Sequence, residues 1–156
     1  MIVTFFTIVW ILILARIAVI DQLTMEIPDI WNLLLGIVGL LSVPFMGNPD
    51  IGSRLVGMMV VSLPMVVMDL FFPAAFGGGY VKLMAAAGLF LGWRNCLVAA
   101  VFALFAAGLY SVFLLLTKRA GREDVFAFGP FLCAGLVLAV VLGDSLVVFL
   151  SSRTMF

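Results

Sequence analysis

The sequence predicts an all-α polytopic membrane protein with about six transmembrane helices, one of them short or broken after a glycine-rich turn. Of its 156 residues, 66% are apolar and 10% are charged. A soluble domain of this size could not bury so much apolar surface in its own core. We therefore expect one membrane-embedded domain over residues 1–156, with the lipid bilayer as its surroundings.

Five apolar runs approach or exceed the roughly 20 helical residues that cross a bilayer. These predicted spans are Met1–Ile20, Ile30–Met46, Leu55–Phe72, Asn95–Thr117 and Phe126–Gly143. The run Leu83–Trp93 is too short to cross alone, so we expect a short or broken helix entered through a non-helical turn at Gly77–Gly79. Irregular backbone at membrane depth persists only where it packs in protein or lines a wet cavity. The glycine turn is therefore a candidate site.

Counting six spans assigns the basic residues to two sides. One side takes Arg16, Lys82, Lys118, Arg119 and Arg122, and the other takes Arg54, Arg94 and Arg153. Because basic residues favour the cytoplasmic side, five against three predicts that the side with Lys82 faces the cytoplasm.

Composition excludes several kinds of site. The net charge is zero and there is no basic run, so a nucleic-acid partner is not expected. The chain has no histidine, and its two cysteines lie singly in apolar runs, so we expect neither a metal site nor a cofactor. Any catalysis must use carboxylates, hydroxyls, amines or the backbone.

The segment "IDQLTMEIPDIWN", residues 20–32, carries acidic residues at the end of the first span. An ionisable group at the bilayer edge is costly, which makes Asp21 a functional candidate. Asp29 has a structural interpretation as the N-cap of the second span. We expect Glu26 to lie in a solvent-exposed loop.

The segment "FGGGYVKL", residues 76–83, combines flexible backbone with a charge. Glycines are often close-packing points between membrane helices. Three in succession make a poor helix interior, however, and they allow another backbone to approach closely. Gly77, Gly78, Gly79 and Lys82 are therefore predicted to border the binding site of an extended peptide.

Three motifs in this order, "ID…TMEIPD", "GGGYVKLMAAAGLFLGW" and "FAFGPFLCAG", resemble the type IV prepilin peptidase family of GxGD membrane aspartic proteases. The similarity covers essentially the whole chain as the peptidase portion, without the N-terminal cysteine-motif region linked to methylation. It implies cleavage of the leader of pilin-like precursors at the cytoplasmic face of the bacterial cytoplasmic membrane. It also implies that Asp21 is the first catalytic aspartate, and it places Tyr80 where the second aspartate stands.

Tyr80 is the departure from the family motif that directly affects the catalytic reaction. Two neighbouring acids share a proton, so that one activates water while the other polarises the scissile carbonyl. Tyrosine, with an ordinary pKa of about 10, cannot be the base at neutral pH. We therefore expect impaired or absent activity. Asp69 could replace the second acid only by departing from the family pattern, and we expect it to be a helix-end carboxylate beside Lys82 instead. Asp144 falls on the opposite side of the membrane by the span count.

Two other functions remain open at this stage. The chain could be a non-catalytic homologue that binds pilin-like precursors. It could also be a small transporter with the broken segment as its site. The transporter is the least favoured, because the sequence has no internal repeat and its irregular backbone lies near a surface.

Overall fold

The structure, a computed structural model, describes residues 1–72, 76–117 and 126–153, and the side chains of these as far as residue 142. Its helices are α1 (Ile2–Thr24), α2 (Asp29–Ser42), α3 (Ile51–Val60), α4 (Ser62–Phe71), α5 (Gly78–Leu116) and α6 (Gly129–Arg153). The stretches Ile2–Thr24, Ile51–Phe71 and Gly78–Leu116 are long and apolar enough to cross a membrane. The predicted all-α membrane fold is confirmed.

Helices α3 and α4 form one crossing that is interrupted at Val61, where φ is −107° and ψ is −40°. The cause lies three residues further on. Pro64 has no N–H to donate, and its ring clashes with the carbonyl four residues earlier, which belongs to Val60. The regular helical hydrogen bonding is therefore interrupted after Val60, and it resumes with a bond from the Met65 N–H to the Val61 carbonyl.

Helix α5 contains a sharp break at Gly92, where φ is 72° and ψ is 174°. A side chain there would also meet Ser53 Oγ at 2.6 Å and Pro49 Cβ at 2.7 Å. The break divides α5 into two halves, residues 78–91 and 93–116. The first half rises only about 21 Å, which is short for a crossing. The predicted short helix therefore exists.

The position of the irregular backbone differs from the prediction. Gly77 is extended, with φ −68° and ψ 145°, but Gly78 and Gly79 already belong to the first turn of α5. The expected non-helical turn over all three glycines is therefore wrong. The true break is at Gly92, which is the one glycine with a positive φ in the described parts of the chain.

Arg54 is only 2% exposed and stabilises the broken end of the first half of α5. Its Nη1 donates to the Leu89 carbonyl at 2.7 Å, and its Nε donates to the Pro49 carbonyl at 2.9 Å. The last carbonyls of a helix lack intrahelical partners and attract positive charge. A buried cation at this point is thus explained by the break beside it.

Helix α5 is central and packs against α2, α3, α4 and α6, while α1 packs against α2 and α6. Glycines make the closest approaches. A methyl group added to Gly57 would lie 2.6 Å from the Gly88 carbonyl oxygen, and Gly135 similarly abuts the Ala99 carbonyl. Small residues let membrane helices pack backbone to backbone.

This packing gives the bundle two distinct ends. The end of α1 and the starts of α5 and α6 meet at one end, which carries Lys82. The break at Gly92 lies at the other, with Arg54 and Arg94. The basic loop residues Lys118, Arg119 and Arg122 lie outside the described residues, as does the side chain of Arg153.

Candidate functional site

The last turn of α1 places Asp21 inside the protein, with no exposed surface. The helix ends three residues later, at Thr24, and its C-cap is Met25, which adopts the left-handed conformation with φ 55°. The Met25 N–H donates to the Asp21 carbonyl at 2.7 Å. This cap turns the chain into an extended segment that ends at Pro28, the N-cap of α2.

The Asp21 carboxylate accepts a hydrogen bond at each oxygen. The Tyr80 hydroxyl donates to Oδ1 at 2.8 Å, and the Gly129 backbone N–H donates to Oδ2 at 2.8 Å. Tyr80 reaches this position from the first turn of α5, where its own N–H donates to the Gly77 carbonyl. The site therefore joins the end of α1 to the beginnings of α5 and α6.

Aromatic rings cover this group of atoms on one side. The Phe128 ring lies edge-on to the Tyr80 ring, with centroids 5.9 Å apart, and tilted against the Phe76 ring at 5.9 Å. Edge-to-face packing at such distances is favourable. The Tyr80 side chain is thereby held towards Asp21.

A cleft of about 300 Å³ opens beside the pair and is lined by Met25, Glu26, Ile27, Gly77, Gly78, Gly79 and Tyr80. The glycines play unequal parts. A methyl group on Gly78 would meet nothing within 4 Å, whereas one on Gly79 would lie 3.0 Å from Ile27 Cβ. Gly78 therefore leaves the cleft open, and Gly79 allows α5 to pack against the extended segment.

Lys82 and Asp29 form an ion pair at 2.7 Å across the outer edge of this end, with both side chains more than half exposed. The prediction that Asp29 caps α2 is wrong, because Pro28 is the N-cap and no side-chain cap bond forms. The Asp29 carboxylate forms the ion pair with Lys82 instead. Lys82 thus contacts Asp29 and borders the site without touching Asp21.

Asp69 hydrogen-bonds to the backbone and not to Asp21 in the described part of the chain. Its Oδ1 accepts a hydrogen bond of 2.7 Å from the Phe76 N–H, which closes the connection between α4 and α5. Lys82 forms its ion pair with Asp29, and none joins it to Asp69 among the described residues. The side chain of Asp144 lies outside the described residues.

Two residues at the site were missed from the sequence. Asn32 is 5% exposed and donates from Nδ2 to the Gly79 carbonyl at 3.0 Å, which ties α2 to the first turn of α5. Gly129 donates to Asp21. The available signal for Gly129 was its position directly before Pro130 in "FGPF".

A larger cavity of about 490 Å³ lies at the opposite end, beside the break in α5. The acidic residue in its described lining is Asp50, which caps α3 by accepting a 3.3 Å bond from the Ser53 N–H. This cavity therefore offers a carboxylate that is already used in capping, and it contains none of the predicted site residues.

Among the described residues, only Tyr80 and Gly129 hydrogen-bond to the Asp21 carboxylate. A phenol can donate a hydrogen bond to a carboxylate or a carbonyl, but it does not accept a proton as a carboxylate does. The arrangement thus contains one acid and one donor where an acid pair would contain two carboxylates. No second acid hydrogen-bonds to Asp21 in the part of the chain that the structure describes.

Comparison with known proteins agrees with this arrangement of motifs. The model of the type IV leader peptidase family matches residues 6–112. The prepilin leader peptidase/N-methyltransferase of Bacillus subtilis (strain 168) is 36% identical over 73 residues, which are 47% of this chain and 29% of that protein. The protein of the same name from Legionella pneumophila is 31% identical over 71 residues, 46% of this chain and 25% of that protein.

No solved structure matches the chain. The matched segments cover less than a third of each curated relative. The family model, however, spans more than half of this sequence, including both Asp21 and Tyr80. The chain therefore belongs to the type IV leader peptidase family.

Proposed function

We propose that the chain has the substrate site of a prepilin leader peptidase, an aspartic endopeptidase, but not its complete catalytic pair. The substrate is the leader of a pilin-like precursor, bound in extended form in the cleft beside Gly77 and Gly78. The site faces the cytoplasm at the bacterial cytoplasmic membrane. This orientation follows the distribution of basic residues along the sequence.

One observation carries the proposal, namely the 2.8 Å hydrogen bond from the Tyr80 hydroxyl to Asp21 Oδ1. In a working acid pair this oxygen faces a second carboxylate across the attacking water. Here the phenol occupies that place and satisfies the oxygen. Asp21 is the group that would activate water, and residue 80 is the group that would donate a proton to the scissile carbonyl.

The expected behaviour is binding of the precursor with little or no cleavage. Restoring a carboxylate with Tyr80→Asp also removes the aromatic ring, which leaves room for water between the two acids. A non-catalytic homologue that only binds precursors is the second candidate. It is favoured by the complete burial of Asp21 and by the hydrogen bonds at both of its oxygens.

Cleavage of a purified pilin-like precursor in detergent or nanodiscs tests the proposal. The product is identified by gel mobility and by the mass at the leader junction. We expect no product from the native chain, product from Tyr80→Asp, and none from Tyr80→Asp combined with Asp21→Asn. Equal cleavage by the native chain and Tyr80→Asp would refute the role given to Tyr80.

Binding is measured separately by cross-linking the precursor to each variant. Precursor that cross-links to Tyr80→Asp without being cleaved would favour the non-catalytic function. Precursor that binds neither the native chain nor Tyr80→Asp would remove both candidates.

A further inference from the structure

The first residue of α6 lies directly against the Asp21 carboxylate, although the two are 108 residues apart. The Gly129 N–H donates to Oδ2 at 2.8 Å. A methyl group on Gly129 would lie 2.5 Å from Oδ2 and 2.7 Å from Cγ of Asp21. The absence of a side chain at Gly129 is therefore what allows the carboxylate to reach this backbone.

The first turn of α6 leaves one amide directed at Asp21. Pro130 has no N–H, and the N–H groups of Phe131 and Leu132 both donate to the Phe128 carbonyl. The first amides of a helix normally lack partners within the helix. In this turn, the Gly129 amide finds its acceptor on α1, so Asp21 acts as the cap of a distant helix.

The bond also sets the orientation of Asp21. With Oδ2 held by Gly129, rotation about the Cβ–Cγ bond is restricted and Oδ1 is directed at residue 80. The adjacent Phe128 packs on Tyr80 from the same turn, with ring centroids 5.9 Å apart. The beginning of α6 thus contacts both members of the pair.

We propose that Gly129 is a positioning residue of this site, whose backbone N–H holds one oxygen of Asp21 so that the other faces residue 80. The match to the family model ends at residue 112 and does not include Gly129. A reacting carboxylate must keep its orientation within narrow limits, and loss of a supporting hydrogen bond lowers the rate more than it lowers binding. The kinetic consequence rests on the proposed function, whereas the hydrogen bond itself does not.

Selective isotope labelling tests the hydrogen bond without any activity. The dipeptide Phe-Gly occurs only at residues 76–77 and 128–129. Carbonyl ¹³C-phenylalanine with ¹⁵N-glycine therefore yields two amide signals, for Gly77 and Gly129. We expect Asp21→Ala to move the Gly129 proton signal upfield and to speed its exchange at least ~10-fold, as loss of a buried charged acceptor implies.

Asp29→Ala is the matched control, because Asp29 lies at the same end but pairs with Lys82 at the surface. We expect it to leave the Gly129 signal in place. A Gly129 signal that is unchanged in Asp21→Ala would overturn the inference.

The kinetic test compares two glycines of α6 in the Tyr80→Asp background. Gly129→Ala should lower kcat for leader cleavage at least ~10-fold with little change in KM. Gly135→Ala crowds the Ala99 carbonyl instead. It should reduce thermal stability with a much smaller loss of kcat.

Equal losses of kcat in the two variants would contradict a positioning role. If Tyr80→Asp itself cleaves nothing, the proposed function fails. The labelling experiment then decides by itself whether Gly129 holds Asp21.

Discussion

The hydroxyl of Tyr80 lies 2.8 Å from Oδ1 of Asp21, across 59 residues of sequence. It is a hydrogen bond between a phenol donor and a fully buried carboxylate at the meeting point of two helices. Such bonds to charged acceptors are stronger than neutral ones. Tyr80 thus contributes to the stability of the site.

Removing the Tyr80 hydroxyl should destabilise the fold. Tyr80→Phe leaves Oδ1 of Asp21 without its donor in a buried position, which we expect to cost about 1–3 kcal/mol. Thermal unfolding in detergent measures the change. The control is Tyr110→Phe, because the Tyr110 ring packs against Phe126 and Phe131 at the surface of the bundle. A loss in Tyr80→Phe no larger than in Tyr110→Phe would count against the hydrogen bond.

The two neighbouring glycines Gly78 and Gly79 should respond with opposite signs. Gly79→Ala pushes a methyl group to 3.0 Å from Ile27 Cβ and 3.1 Å from its carbonyl oxygen. We expect a loss of about 1–3 kcal/mol from this overpacking. Gly78→Ala meets open space in a helical conformation, so we expect a gain of about 0.4–1 kcal/mol. The unfolding midpoints of both variants test this prediction. Equal shifts of the midpoint in the two variants would disprove the different packing of the two glycines.

Gly92→Ala should weaken the bundle through the break in α5. A positive φ with ψ near 180° is almost restricted to glycine and costs a residue with a side chain on the order of 1–3 kcal/mol, and the methyl group would also crowd Ser53 and Pro49. Gly108→Ala, in the second half of the same helix, meets nothing within 4 Å and should be neutral or stabilising. If Gly92→Ala unfolds at the same temperature as the native chain, α5 is not broken at this position.

The Lys82–Asp29 ion pair should contribute little. Its side chains are 56% and 71% exposed, so water and salt screen the attraction. We expect Lys82→Gln to change stability by less than about 1 kcal/mol, with the difference vanishing at 1 M salt. Chemical denaturation with urea at low and high salt checks this. A large loss that persists at high salt would show that Lys82 has a structural role beyond the ion pair.

The sequence was sufficient to predict the membrane class and the proximity of Asp21 to residue 80. Apolar runs of spanning length are typical of a membrane protein, and the resemblance implies that Asp21 and residue 80 are the two positions of one catalytic pair. The structure brings Asp21, Tyr80 and the glycine segment together as expected. The catalytic roles assigned to these residues stay predictions.

Features that depend on distant partners could not be predicted. Gly92 lies in "LFLGW", a segment typical of helix, and its positive φ accompanies the close approach of Pro49 from the loop before α3 and of Ser53 from α3 itself. Asp29 follows the local pattern of a cap, but Lys82 from α5 takes its carboxylate. Local patterns define the candidates for such contacts, and tertiary packing selects among them.

The central claim is that the Tyr80 hydroxyl engages Asp21, and tyrosine vibrational spectroscopy tests it most directly. The chain has two tyrosines, so Tyr110→Phe leaves Tyr80 as the single reporter. Ultraviolet resonance Raman bands of the ring then report whether the phenol donates a hydrogen bond. We predict the spectrum of a strong donor, which changes to that of a weakly bonded phenol in Asp21→Ala. A spectrum that is the same with and without the Asp21 carboxylate would contradict the claim.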